Sequence, residues 1–168
     1  MVPNEVIESL KKTPSLVAHL IAETNNEQLD ATDGKNWSTR TILAHLRDAE
    51  MYEFRLSIER LVAEDSPNLY FWEPERWEIE RSLHRDSKEQ ILVDFALQRQ
   101  ASIALLQSLS SEQCTQKGMI GDKEINLLTV VDWWAHHDLS HIEQMEVTLG
   151  ETVADAQSRQ LKKGTLSD

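Results

Sequence analysis

Residues 133–141, Trp-Trp-Ala-His-His-Asp-Leu-Ser-His, place His137 and His141 one helical turn apart. Side chains four positions apart on a helix have Cβ atoms ~6 Å apart, so two imidazoles can converge on one ion at ~2.1 Å from each nitrogen. His136 is rotated by ~100° from this direction and is expected on the surface or at an interface. The two histidines share an apolar stripe that should face the core, because its members recur at steps of three or four: Val130, Trp134, His137, His141, Met145 and Thr148.

A second helical run, residues 41–50, places His45 in the same kind of position. Three inward-facing imidazoles from two helices could hold one divalent metal ion and leave coordination positions free for water or substrate. A buried histidine can instead be a hydrogen-bonded core residue, but three of them would then need three separate sets of partners. The predicted stripe of this helix comprises Ile42, His45, Leu46, Ala49, Tyr52, Leu56 and Arg60.

Two acidic residues lie close to the histidines in sequence. Asp48 follows His45 by one turn and Asp138 follows His137 directly, and either could accept the second ring N–H of a ligand histidine. We expect Asp138 to face solvent, as acidic residues on helices commonly do. The position after the first histidine is an aspartate where zinc peptidases carry a catalytic glutamate, so a peptidase is disfavoured.

The segment from Leu69 to Asp86 is long for a connection between helices and is rich in aromatic residues. We expect it to fold back over the bundle, where Trp72 and Trp77 could line a pocket above the metal or simply complete the core. His84 is a candidate fourth ligand or acid–base group, with plain exposure as the alternative.

The composition predicts an ordinary globular protein of 168 residues in one domain. A net charge of −12 argues against binding to nucleic acid or to anionic membranes. Cys114 is the single cysteine and has no adjacent histidine, so it is expected to be an ordinary thiol in a reducing compartment. The N-terminal residues do not resemble a secretory signal, and we expect a cytoplasmic protein.

The pattern of apolar residues predicts an all-α protein. Long helices are expected over residues 39–63, 88–109 and 127–149, preceded by helical pieces over 4–12 and from Pro14 onward, with Thr13 as a cap. Further caps are expected at Ser38, at Ser87 in a capping box with Gln90, and at Asn126, and Gly150 is expected to end the last helix. A small hairpin is predicted over 117–125, a bundle domain over 1–150, and a polar tail, disordered at its end, over 151–168.

Three motifs resemble the DinB-like superfamily of metal-binding bundles: Trp37-Ser38 at a helix start, residues 45–50 (His-Leu-Arg-Asp-Ala-Glu) and residues 137–144 (His-Asp-Leu-Ser-His-Ile-Glu-Gln). The resemblance extends from Thr13 to Gly150. It implies an up-down-down-up four-helix bundle, a homodimer, and a facial triad of His45, His137 and His141 that binds Zn, Ni, Fe or Mn.

The resemblance also implies two reaction classes. Some relatives transfer bacillithiol, mycothiol or glutathione, so the leading hypothesis is a metal-dependent enzyme that activates a low-molecular-weight thiol toward a small-molecule electrophile. Metal-activated hydrolysis is the second hypothesis. The alternative from another class is a non-catalytic metal-binding or dimerisation module, which a closed coordination sphere with a fourth protein ligand would favour.

Overall fold

The computed structural model describes residues 1–32, 35–71 and 86–164. Three segments follow one another without a break and form the second long helix, residues 39–63: α3, a π-helical segment and α4. The elements in chain order are α1 (Asn4–Leu20), α2 (Asn26–Asp30), α3 (Thr39–Ala49), the π segment (Glu50–Arg55), α4 (Leu56–Ala63), α5 (Lys88–Ser108), a 3-10 turn (Gln113–Thr115), β1 (Lys117–Ile120), β2 (Lys123–Asn126) and α6 (Leu127–Gly164).

The long helices form the predicted up-down-down-up four-helix bundle. Helices α1 and α3 each pack against both α5 and α6. The long connection between α4 and α5 lets the second and third bundle helices run in the same direction, which a short turn would not allow. None of the described helices is both long and apolar enough to cross a membrane.

The three N-caps predicted for the later helices are formed. The side-chain oxygens of Ser38, Ser87 and Asn126 each accept a hydrogen bond from the backbone N–H three residues further on, at 3.2, 3.1 and 2.9 Å. The capping box at Ser87 is only half realised, because the Gln90 side chain donates to Asp94. The serine alone therefore defines the start of α5.

Helix α1 corrects the expected break at Thr13. It runs from Asn4 to Leu20 with Pro14 inside it, and the Thr13 hydroxyl donates to the carbonyl of Ser9 at 3.4 Å instead of capping a new helix. A proline inside a helix removes the N–H that would bond to the carbonyl four residues earlier, here that of Leu10. That carbonyl accepts a hydrogen bond from the side chain of Arg99 on α5 instead.

Helix α6 also differs from its prediction, because it passes Leu149 and Gly150 and continues to Gly164. Gly150 does not adopt the left-handed conformation of a C-capping glycine; the described glycine with positive φ is Gly121. A glycine with a helical backbone costs the helix some stability but does not end it.

The π segment explains why the predicted stripe of the second helix is wrong beyond Ala49. Tyr52 and Leu56 are exposed to about half of their surface (50% and 44%), and Arg60 pairs with Glu64 at the surface. A π turn inserts one extra residue, which rotates the following helix by ~100° about its axis. The core-facing residues are consequently Phe54 within the π segment and Ser57, Ile58 and Leu61 after it.

The predicted hairpin is present, with Ile120 opposite Lys123 and Gly121 in the turn at φ 54°. Its first strand packs against the residues that follow α4. The N–H of Met119 donates to the carbonyl of Pro67, and the N–H of Leu69 donates to the carbonyl of Met119. The hairpin thereby fixes the beginning of the long connection to the bundle.

The core consists of two apolar clusters with a polar layer between them. One contains Leu10, Ile58, Ile103 and Trp134, and the other contains Val17, Leu46, Phe95 and Met145. On every bundle helix the two sets of residues are separated in sequence, so the clusters fill the two ends of the bundle. The buried polar residues between them include His45, Glu50, Arg99, Ser102 and Asp138.

Candidate metal centre

The structure brings the three predicted histidines together. His45 comes from α3 and is buried, whereas His137 and His141 come from α6 and are partly exposed. One ring nitrogen from each lies within 4.8 Å of the other two, and the Nε2 atoms of His45 and His137 are 2.9 Å apart. The centroids of the three rings are separated by 4.5 to 5.0 Å.

These distances fit a bound divalent ion. Nitrogen ligands ~2.1 Å from a tetrahedral ion stand ~3.4 Å from one another. This separation is longer than the 2.9 Å between the Nε2 atoms of His45 and His137 and shorter than the 4.8 Å within which the three ligand atoms lie. Among the described residues, no fourth His, Cys, Asp or Glu joins the three. Three ligands leave at least one coordination position for water or substrate, as in catalytic sites.

The orientation of His141 is fixed by Gln144, one turn further along α6. Nδ1 of His141 lies 2.8 Å from Oε1 of Gln144. Because an amide oxygen only accepts, this contact assigns the proton to Nδ1 and leaves the lone pair of Nε2 for the centre of the cluster. Such a partner for the second ring nitrogen is usual for histidines that bind metals.

The electrostatic environment keeps at least two of the imidazoles neutral. Burial, followed by repulsion from His137 and His141, lowers the pKa of His45 to about 2. Burial and repulsion from His137 lower the pKa of His141 to about 4. Both rings are therefore unprotonated at neutral pH, which is the state in which imidazole binds metal ions.

Two aromatic side chains flank the histidines. The ring of Trp37 meets the ring of His45 edge to face at 5.0 Å and lies parallel to that of His141 at 6.2 Å. On the other side, Phe54 meets His137 at 5.0 Å and stacks on Trp134 at 5.3 Å. These rings restrict the imidazoles and place apolar surface beside them.

Asp138 is buried, contrary to the expectation that it faces solvent. It is 2% exposed, and its Oδ2 lies 2.7 Å from Nη2 of Arg99, while its Oδ1 lies 3.6 Å from Nδ1 of His137. Asp138 can be buried because the guanidinium group of Arg99, on α5, compensates the charge of its carboxylate.

Arg99 is the central member of a buried ion cluster that it forms with Glu50 and Asp138. Its guanidinium group is bonded to each of the other three bundle helices. Its Nε donates to Oε2 of Glu50 at 2.8 Å, and its Nη1 donates to the carbonyl oxygen of Leu10 at 2.7 Å. Leu10 is the residue whose carbonyl Pro14 leaves without a helical partner. The guanidinium is also stacked between the rings of Phe95 and Trp134, at 5.0 and 5.3 Å.

The three charged groups shift one another's ionisation. Burial by itself would raise the pKa of Asp138, but Arg99, and then His137, hold it below the usual value. For Glu50, burial dominates and the pKa is raised in spite of Arg99. Burial opposes the charge of Arg99, yet Asp138 and Glu50 raise its pKa, so the arginine stays protonated.

The remaining candidates have different outcomes. His136 is exposed, as expected, with its Nδ1 2.9 Å from the carbonyl oxygen of Asp132. Asp48 is largely buried and accepts a hydrogen bond from Nε of Arg47 at 2.8 Å. Cys114 is buried. The three candidates in the long connection, Trp72, Trp77 and His84, lie outside the described residues.

Four residues around the site were missed from the sequence: Trp37, Phe54, Glu50 and Arg99. Arg99 carried a usable signal, because it occupies a core position, four residues after Phe95 and three before Ser102. A charged residue on a core-facing stripe requires a buried counter-charge. Glu50, four residues after Leu46, carried the same signal, whereas Phe54 could not be placed because the π turn changes which face of the helix it occupies.

Comparison with known proteins agrees with the fold. The family model of the DinB superfamily matches residues 9–145. The chain is 26% identical over 155 residues to YfiT of Bacillus subtilis, covering 86% of this chain and 84% of YfiT. The solved structure of YfiT, described as a probable metal-dependent hydrolase with an unusual four-helix bundle topology, matches with a TM-score of 0.71 and 22% identity over 88% of this chain and 87% of that one.

Proposed function

Because the chain belongs to the DinB superfamily, we propose that it is a metal-dependent hydrolase whose divalent ion is held by His45, His137 and His141. The observation that carries the proposal is the convergence of three imidazole nitrogens, within 4.8 Å of one another, at a partly exposed position. A divalent ion bound there would act as a Lewis acid. It would lower the pKa of a coordinated nucleophile, so that the deprotonated form is available at neutral pH.

The chain's own residues prepare this position. Gln144 holds His141 with Nε2 directed inward, and burial keeps His45 neutral. Trp37 packs against His45 and Phe54 packs against His137, so apolar rings cover part of the surface of the histidines. The side chain of His137 is 19% exposed, so a small molecule can approach the cluster from the solvent.

Two alternatives are less well supported. Transfer of a low-molecular-weight thiol, the reaction expected first from the sequence, is supported by the family resemblance alone, whereas the relative YfiT is described as a hydrolase. A non-catalytic metal module would favour a closed coordination sphere, and the described residues provide three ligands. Water is therefore the nucleophile that we propose.

The test begins with metal binding. Protein freed of metal with a chelator would be reloaded separately with Zn²⁺, Ni²⁺, Mn²⁺ or Fe²⁺ and its metal content measured. The native chain should retain one ion for each chain, and His141→Ala should retain none while keeping its helical circular dichroism. His136→Ala is the matched control, because this histidine lies on the same helix but is exposed.

The second stage is a screen with chromogenic esters and amides, with and without added small thiols. Metal-dependent release of the chromophore by the native protein and by His136→Ala, but not by His141→Ala, would support hydrolysis. Turnover only in the presence of a thiol would replace hydrolysis by transfer. Full metal occupancy in His141→Ala would remove that residue from the site.

A further inference from the structure

The ring of His137 lies between the metal centre and the buried ion cluster, with one ring nitrogen facing each of them. Its Nε2 faces His45 at 2.9 Å. Its Nδ1 is buried and makes no hydrogen bond within the part of the chain that the structure describes. The carboxylate oxygen Oδ1 of Asp138 lies 3.6 Å from this Nδ1, just beyond hydrogen-bond distance.

Asp138 cannot move freely, because Arg99 holds its other oxygen at 2.7 Å. Arg99 is itself fixed by Glu50, by the carbonyl of Leu10 and by two aromatic rings. The carboxylate is thus presented to His137 from a position that three other helices determine. A shift of a few tenths of an ångström would bring it into hydrogen-bond contact with Nδ1.

We propose that Asp138, held by Arg99, is a positioning residue for His137. A carboxylate beside Nδ1 favours the tautomer with its proton on Nδ1, which leaves the lone pair on Nε2 for the centre formed with His45 and His141. The inference rests on the proposed function in so far as it concerns metal affinity. The preference for one tautomer holds in the metal-free protein as well.

Charge supports the same arrangement. The buried cluster contains the carboxylates of Glu50 and Asp138 and the single guanidinium of Arg99. The carboxylate of Asp138 lies beside Nδ1 of His137. Its negative charge there increases the affinity of the other ring nitrogen, Nε2, for a cation. His141 uses the neutral amide of Gln144 for the same purpose, so the two α6 histidines would be oriented by different kinds of acceptor.

The test compares Asp138→Asn with Asp132→Asn. Asp132 lies on the same helix with a carboxylate oxygen 3.6 Å from Nδ1 of His136, an exposed histidine outside the cluster. The imidazole ¹⁵N shifts of His137 in metal-free protein report its tautomer, and competition with a fluorescent chelator reports the affinity for Zn²⁺. Asp138→Asn should reduce the Nδ1–H tautomer of His137 and weaken Zn²⁺ binding roughly 10- to 100-fold. Asp132→Asn should change neither.

Unchanged ¹⁵N shifts and unchanged Zn²⁺ affinity in Asp138→Asn would overturn the proposal. If that variant does not fold by circular dichroism, Arg99→Lys carries the test, since lysine keeps the charge but cannot hold Glu50, Asp138 and the Leu10 carbonyl together. It should weaken Zn²⁺ binding by ~10-fold or more and shift the same ¹⁵N signals; native values would overturn the proposal. A native chain that binds no metal at all would refute the proposed function, while the tautomer measurement would still decide this inference.

Discussion

Arg99 donates a buried hydrogen bond to the carbonyl oxygen of Leu10 at 2.7 Å, in place of the backbone N–H that Pro14 lacks. A proline in the interior of an isolated helix costs about 3 kcal/mol, partly because this carbonyl loses its partner. In the bundle, the carbonyl is used instead to connect α1 to α5. The irregularity of α1 and the buried charge of α5 therefore have a common explanation.

Replacing Arg99 by methionine should lower the free energy of unfolding by about 3–5 kcal/mol. The physical reason is that Glu50 and Asp138 would remain buried without a compensating cation. Urea denaturation at neutral pH measures this loss. Arg55→Met is the control, because the Arg55–Glu59 pair is exposed and should contribute less than about 1 kcal/mol. A similarly small loss for Arg99→Met would contradict the structural role assigned to the cluster.

The metal-free protein should lose stability as the pH falls below 6.5. The unfolded chain has histidine pKa values near 6.5, whereas the folded protein has a pKa of about 4 for His141 and about 2 for His45. Between 6.5 and 4 the unfolded chain binds more protons, so stability is complete above 6.5 and falls with decreasing pH. Each histidine contributes up to about 1.4 kcal/mol per pH unit in the lower part of this window.

The measurement is the free energy of unfolding in a chelator, determined from pH ~7 to ~5. Subtracting the same series for His141→Gln removes the contribution of carboxylates that both proteins share. As the pH falls, the native protein should lose more stability than His141→Gln, whereas His136→Gln should follow the native protein. A constant difference for His141→Gln would show that its folded-state pKa is not depressed.

Two glycines should respond to alanine in opposite directions. A Cβ at Gly118 would lie 2.7 Å from the carbonyl oxygen of Pro67 and 2.9 Å from Cδ2 of Leu61. Backbone hydrogen bonds hold Pro67 and the hairpin together, so neither segment can move away at a low energetic cost. Gly118→Ala should therefore destabilise the folded protein by about 1–3 kcal/mol.

At Gly150 a Cβ meets no heavy atom of the described residues within 4 Å, and the backbone is helical. Gly150→Ala should therefore stabilise by about 0.5–1 kcal/mol. Thermal denaturation of both variants beside the native protein tests the pair. Stabilisation by Gly118→Ala would show that the hairpin packs less closely on Pro67 than the structure indicates.

Much of the bundle and the histidine cluster could be predicted because the relevant information is local. The i, i+4 spacing of His137 and His141, the caps at Ser38 and Asn126, and the hairpin turn at Gly121 all depend on neighbours in sequence. The convergence of His45 on this pair followed from two core-facing stripes, and the structure brings the rings together as those stripes predict.

What could not be predicted depends on contacts between distant helices. Asp138 was expected in solvent because its counter-ion, Arg99, lies on another helix and its burial is invisible to a periodicity analysis. The predicted orientation of Tyr52 and Leu56 toward the core was wrong. The periodicity analysis assumes a constant rotation per residue, which the π turn interrupts. The break expected at Pro14 is absent because the bundle supplies a partner for the freed carbonyl.

His45 and His137 are 92 positions apart in the chain, yet their Nε2 atoms are 2.9 Å apart. An ion that joins them closes a loop of that length, much as a covalent cross-link does. The contact can form only after the second and fourth helices have met, and we expect it to form late in folding. Loading with metal should therefore leave the rate of folding nearly unchanged and act on the lifetime of the native state, which it prolongs by slowing unfolding.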